Sequence, residues 1–194
     1  MANDCCGTMR VVSKDKKAIE RLRAIMNYED PEYFCYRCMS FDPAGGIEEV
    51  DGFYVADFGF DVAWSSEPWF DKGDHPDRLI VKDYEKDGNG KIKFNHKTNE
   101  PIAIHGTAHL TDLNTICKVL EIGLELYSTE PGCCFCEHRS VNSEGDTIWC
   151  ETADYNLVYP DGEDGEPDYD QEPDEQTEMD LWNFGTPAEI YNGD

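Results

Sequence analysis

The stretch TMRVVSKDKKAIERLRAIM, residues 8–26, places two hydrophobic periods back to back. Thr8-Met9-Arg10-Val11-Val12 reads as a short strand. Ser13 then suits an N-cap, and Asp15 falls in a first turn, where the helix dipole favours an anion. Ile19, Leu22, Ile25 and Met26 follow at helical spacing, so residues 14–27 are expected to form an amphipathic helix.

Downstream, Tyr33 to Phe41 is aromatic and strand-like and ends in the turn Asp42-Pro43-Ala44-Gly45-Gly46. Gly52 to Trp64 reads as a long strand marked by Phe53, Val55, Phe58, Phe60 and Val62. Its alternation changes phase near Asp57-Phe58-Gly59, which predicts a bulge or bend there. Residues 65–100 are polar and turn-rich. They are read as an insertion holding a hairpin, Leu79–Lys82 returning through Asp87-Gly88-Asn89-Gly90 to Lys91–Phe94.

Ile102 to Leu110 alternates as a strand. Thr111-Asp112 caps a second helix with Leu113, Ile116, Cys117 and Leu120 on its apolar stripe, and Gly123 is expected to stop it. Leu124 to Tyr127 is the next strand. Cys134–Val141 and Thr147–Glu151 form a hairpin across Asn142–Asp146. Strand, helix, strands, helix, strand is the order of a split βαβ unit: an α+β fold with an antiparallel sheet and both helices on one face. The expected organisation is one domain over residues 1–155, with its insertion at about 65–100, followed by an acidic extension over 156–194.

Three segments resemble the YubB-type ferredoxin-like proteins of plasmids and phages. Met1-Ala2-Asn3-Asp4-Cys5 running into Thr8-Met9-Arg10-Val11 looks like that family's start. Phe60-Asp61-Val62-Ala63-Trp64-Ser65 is similar to its F-D/E-T-A-W-S segment. Tyr127-Ser128-Thr129-Glu130-Pro131-Gly132, followed by Phe135-Cys136-Glu137-His138, is similar to its Y-x-E-x-P-G-x-x-F segment. The resemblance covers roughly residues 1–155. It implies a ferredoxin-like α+β fold and residence on mobile elements, and it carries no catalytic residue across.

Charge is the other dominant feature. Net charge is −26, and Glu151 to Asp194 alone holds 15 Asp and Glu with no Lys or Arg. Residues 1–150 carry 27 acidic against 16 basic groups, so the body is acidic as well. No basic patch is evident, since Lys14, Lys16 and Lys17 read as the solvated face of a helix, and direct nucleic-acid or membrane-surface binding is therefore not expected. The opening residues lack a basic and then apolar leader, and no run approaches the ~18 apolar residues of a membrane span. Nine cysteines without a leader read as reduced thiols in a cytoplasmic protein.

Cys35-Tyr36-Arg37-Cys38 has CxxC spacing, and Cys133, Cys134, Cys136 and His138 could complete a zinc set. Cys35 and Cys38 point to opposite faces of a flat strand, however, so buried thiols are the simpler reading and no metal is assigned. A cysteine nucleophile would need His105, His109 or His138 beside it. His105 and His109 lie about 13 Å apart along a strand, too far to share a metal. Asp83, Glu85, Asp87, Gly88 and Asn89 superficially match a calcium loop, but Phe94 stands where a bidentate Glu is required. No catalytic residue or cofactor is assigned.

What remains is the acidic run. Asp161, Glu163, Asp164, Glu166, Asp168, Asp170, Glu172, Asp174, Glu175, Glu178 and Asp180 would span about 66 Å if extended, one charge per ~6 Å against ~3.4 Å along a DNA strand. A convincing duplex copy would need folding beside body carboxylates such as Glu48, Glu49, Asp51 and Asp57. After the run, Leu181, Trp182, Phe184, Ile190 and Tyr191 restore apolar groups, which could dock on the chain's own sheet or anchor in a partner, with Trp182 and Phe184 the candidate anchors. The leading expectation is a non-enzymatic, phage-encoded or mobile-element-encoded inhibitor. It would act as a DNA mimic on a basic nucleic-acid-binding protein of a host defence complex, as an anti-CRISPR or anti-restriction protein. Alternatives are an accessory plasmid or phage protein that binds a partner through its sheet, and a small zinc-binding module.

Overall fold

The first strand is buried along one face and, on the other, at Val12, and the architecture follows from covering both. The computed structural model describes residues 4–35, 38–70, 77–130, 135–158, 166, 174–177 and 183–193. In chain order these give β1 (Asp4–Ser13), α1 (Lys16–Met26), β2 (Tyr33–Phe34), β3 (Cys38–Pro43), β4 (Glu48–Val50), β5 (Phe53–Ala63), β6 (Arg78–Tyr84), β7 (Ala103–Leu110), α2 (Leu113–Leu120), β8 (Ile122–Glu130), β9 (Phe135–Val141), β10 (Thr147–Val158), β11 (Asp174–Thr177) and α3 (Pro187–Asn192). A 3₁₀ turn, Glu67–Trp69, follows β5. The fold is α+β, dominated by an antiparallel sheet.

Among the described residues the main sheet runs β11-β10-β9-β8-β1-β5-β3, with β4 beside β3 on the same edge of β5. All its pairings are antiparallel. Met9 and Val11 of β1, Phe58, Phe60 and Val62 of β5, and Leu124 and Leu126 of β8 face α1 and α2, meeting Ile19, Leu22, Ile25, Leu113 and Ile116 in one buried core. Alternation in a strand puts Arg10 and Val12 on the other side. There Val12 meets Ile190 and Tyr191 of α3, with Phe53, Val55 and Phe184 packed around them.

This second layer explains the phase change in β5. The register of β5 on β1 is continuous from Tyr54 to Ala63, so no bulge interrupts Asp57-Phe58-Gly59. Phe53 and Val55 serve the α3 face, whereas Ala56, Phe58, Phe60 and Val62 serve the helix face. The irregularity lies in β3, between Cys38 and Ser40.

Three further expectations are corrected. Asp15, not Ser13, caps α1, its carboxylate accepting from Lys17 N at 3.0 Å, while Ser13 Oγ accepts from Asp15 N and donates to Glu121 O. The turn at Asp87–Gly90 is present, but the segment returning from it makes only isolated bridges, Lys86 to Ile92 and Phe94 to Pro101, and β6 pairs instead along β7. With β2 parallel to the far end of β7, these strands form a small second sheet, so Ala103–Leu110 lies outside the main one. Finally, α2 ends at Glu121 in the left-handed conformation (φ 53°), and Gly123 is a residue of β8.

Gly123 has a different use. A Cβ there would collide with the backbone of Ile190 and Tyr191. The missing side chain lets α3 lie directly on the sheet. Thr186 and Glu189 form a reciprocal capping box, Pro187 opens the helix, and Gly193 (φ 81°) closes it. The boundary expected at residue 155 falls inside β10, and the C-terminal segment adds β11 and α3 to the same body. Gly123→Ala is therefore expected to lower the urea midpoint by the equivalent of about 1–3 kcal/mol, with cleavage of residues 183–193 as the first event in limited proteolysis.

Candidate functional site

The α3 face of the sheet is organised by one buried carboxylate. Glu125 projects from β8 toward that face and is 6% exposed. Its Oε2 accepts from Gly185 N at 2.8 Å, and its Oε1 accepts from His138 Nε2 at 2.7 Å and from Tyr127 OH at 3.2 Å. The Tyr127 hydroxyl also lies 3.1 Å from Asn183 O. Burial alone would raise the Glu125 carboxyl, but His138, the Gly185 N–H and Tyr127 outweigh it and hold the group below the ordinary glutamate value. Burial and the Glu125 charge together push the Tyr127 hydroxyl up. Phe184 is half-buried, edge-on to Tyr127 (5.4 Å between centroids) and 4.6 Å beneath the Arg10 guanidinium, which pairs bidentately with Asp57 at 2.8 Å. Glu125 therefore ties the segment before α3 to the sheet.

Three aromatic rings step across adjacent strands on this face. Tyr127 and His138 stack at 4.3 Å and 12°, and His138 and Trp149 stack at 5.5 Å and 26°. Trp149, at the outer end, is 53% exposed.

A second carboxylate, Glu137, is 2% exposed on the helix face. Its Oε2 accepts from Ser66 N (2.9 Å), Ser66 Oγ (2.7 Å) and Ser128 Oγ (3.0 Å), and its Oε1 from Arg139 Nη2 (2.9 Å). Burial again opposes the charge, and the Ser66 N–H, Arg139 and the Ser66 hydroxyl again prevail, leaving the group below the usual range. Its acceptor capacity is taken up by these donors, so its role is architectural: it pins the turn that seats Trp69 against Phe60. Burial pushes the nearby Cys5 thiol up to about 12, which removes it as a nucleophile at neutral pH.

The acidic run reaches this body at defined points. Asp174 and Glu175 lie on β11, opposite Val158 and Leu157 of β10. Glu166 is exposed. Asp161, Glu163, Asp164, Asp168, Asp170, Glu172, Glu178, Asp180, Leu181 and Trp182 fall outside the described residues. Phe184, Ile190 and Tyr191 dock on the chain's own sheet, so Phe184 is engaged internally and is withdrawn as a partner anchor. Glu48, Glu49 and Asp51 are exposed on β4 and the turn after it. Five strand spacings separate β5 from β11, about 24 Å. Glu48, Glu49 and Asp51 thus sit on the opposite edge, and Asp57 on β5 is taken up by Arg10.

Charge is nevertheless segregated. Beyond Arg139 the sequence has 17 Asp and Glu and no Lys or Arg. Arg139 itself is buried against Glu137. Lys16, Lys17, Arg21 and Arg23 lie on α1, Lys118 on α2, and Lys86, Lys91, Lys93 and Lys97 between β6 and β7. Neither β10 nor β11 carries a Lys or an Arg.

The proposed zinc donors are not brought together among the described residues. Cys35 and Cys38 are buried in the core beneath the helices. Cys136 and His138 share the α3 face, and Cys136 is hydrogen-bonded to Ala153 O. Cys133 and Cys134 lie outside the described residues. His109 pairs with Asp77 on the small sheet, on the same strand as His105. Asp87 Oδ1 accepts from Asn89 N and Lys91 N as a turn residue does. Sequence reasoning missed Glu125 and Glu137. Their signal was available: a carboxylate inside an apolar strand, two residues before a Tyr or an Arg, is expected to be buried and paired. No helix among the described residues is long and apolar enough to cross a membrane. Compared with known proteins, the chain matches no family model, no curated protein and no solved structure.

Since Glu125 and Glu137 are both held below the ordinary glutamate value in the folded chain, the unfolded chain takes up their protons first as pH falls. Their stabilisation is complete above that value and is lost as pH drops through the lower folded-state values. The urea midpoint is expected to hold steady from about pH 7 to about pH 5 and then fall, with a shallower fall in Glu125→Gln. Glu125→Ala, which leaves His138 and Gly185 N without their acceptor, is expected to cost about 3 kcal/mol at neutral pH.

Proposed function

We propose that this chain is a non-enzymatic inhibitor that presents its β10–β11 edge and the attached acidic run to the nucleic-acid groove of a basic host protein, as an anti-CRISPR or anti-restriction protein would. The observation that carries the reading is the segregation of charge: 17 carboxylates and no base beyond Arg139, in a segment fastened to the body. β11 and the Glu125-held segment before α3 attach this acidic stretch to the body at two points. The ordering cost of binding is lower than for a free tail, and long-range attraction speeds encounter with a cationic cleft.

The fold is read in the same proposal as ferredoxin-like. The central order β8-β1-β5-β3, with α1 after β1 and α2 before β8, supports that reading. So does the resemblance to the YubB-type proteins of mobile elements, whose segments here form the ends of β5 and β8 and the start of β9. An origin on a phage or plasmid and action in the host cytoplasm follow from that family reading. A partner seated on the open sheet face is the weaker alternative, because α3 and Phe184 already occupy the β1–β5 part of that face.

The test begins with capture of partners from a bacterial lysate at low and high salt. The purified partner is then titrated with labelled duplex DNA in the presence of this protein. Competition is expected, weakening at least roughly tenfold between about 50 and 200 mM salt. Replacing Asp161, Glu163, Asp164, Asp168, Asp170 and Glu172 with their amides is expected to weaken it by at least about tenfold. Competition that is insensitive to salt, or fully retained in the amide variant, rules the mechanism out.

A further inference from the structure

We infer that Trp149 and Glu151 form a receptor for an arginine side chain of the cationic partner, at the inner margin of the anionic edge. This rests on the reading of that edge as a surface for a basic cleft and names the contact that would fix the partner in place.

Trp149 is the most exposed member of the ring series on the α3 face. His138 covers one side of its indole, 5.5 Å away, and His138 is itself fixed by Tyr127 at 4.3 Å and by Glu125 at 2.7 Å. An aromatic side chain 53% exposed yet braced through two further rings presents its free surface with little rotamer freedom left to lose on binding. Large aromatics in such positions are the commonest anchors of protein interfaces. Glu151 is two residues along β10, so it projects from the same face about 7 Å away. It is exposed, and it stands opposite His138 in the strand register.

An indole face beside a carboxylate suits a guanidinium better than an ammonium. The planar cation stacks on the ring while its N–H fork reaches the carboxylate, whereas a lysine ammonium offers a compact, strongly hydrated charge. Charge complementarity selects the occupant, since β10 itself carries no Lys or Arg. Nucleic-acid grooves carry the arginines that would fill it.

The experiment titrates the full chain with oligo-arginine and oligo-lysine peptides of equal length, followed by calorimetry at two salt concentrations. Wild type is expected to bind both in a salt-dependent manner and to favour the arginine peptide by about threefold or more. Trp149→Ala and Glu151→Gln are expected to abolish that preference while retaining salt-dependent binding, and Trp149→Phe to keep part of it. Thermal melts of each variant exclude misfolding as the cause. If wild type shows no preference, or Trp149→Ala retains it, this inference is overturned while the acidic-edge reading stands. If neither peptide binds at low salt, the acidic-edge reading fails and takes this inference with it.

Discussion

A sheet with apolar side chains on both faces has to be covered twice, and this constraint shapes the molecule. One face of β1 is satisfied by α1 and α2 through Met9 and Val11. The other carries Val12, with Phe53 and Val55 beside it, and receives Ile190 and Tyr191 from the far end of the sequence. The contact is close because Gly123 removes the Cβ that would hold α3 away. The acidic run therefore lies between two fastened segments, β10 and α3, with β11 pairing along the way.

Two of the buried glutamates, Glu137 and Glu125, divide polar work between the faces. Glu137 accepts hydrogen bonds from Ser66, Ser128 and Arg139 and closes the end of the helix-side core. Glu125 does the corresponding work on the opposite face, joining Gly185 of the C-terminal segment to His138 and Tyr127. Each would be costly to bury alone, and each is held ionised by a set of fixed donors. The Glu125 set has a second effect, because fixing His138 also fixes the ring on which Trp149 rests.

Much of the framework was legible in the sequence. The apolar stripes of α1 and α2 were strong enough to place both helices, and the Asn142–Asp146 turn placed the β9–β10 hairpin. Errors arose where local chemistry was right but tertiary competition decided the outcome. Ser13 and Asp15 can both cap a helix, and Ser13 is drawn instead to the carbonyl of Glu121. The Asp87–Gly90 turn favours a hairpin, yet β6 gains a longer ladder with β7. The phase change in β5 looked like a bulge because sequence alone cannot show that a strand serves different layers at its two ends. Gly123 followed a helix closely enough to look like its stop, and only the proximity of α3 reveals its use. For the candidate site, composition revealed the acidic run, but its attachment could not be read from charge. It depends on Phe184, Ile190 and Tyr191, whose apolar character did suggest docking, and on Glu125 and Tyr127, which are far from it in sequence.

The two margins of the main sheet have a consequence for how any partner can approach. At one margin, β3 and β4 expose Asp42, Pro43, Glu48 and Glu49, and at the other β11 carries Asp174 and Glu175. Proline lacks the N–H a new ladder would need, and rows of carboxylates repel an incoming backbone unless it brings its own cations. Recruitment by strand addition is thereby disfavoured at both margins, and so is edge-to-edge stacking of one copy upon another. Any partner at these margins is thereby left to side-chain contacts.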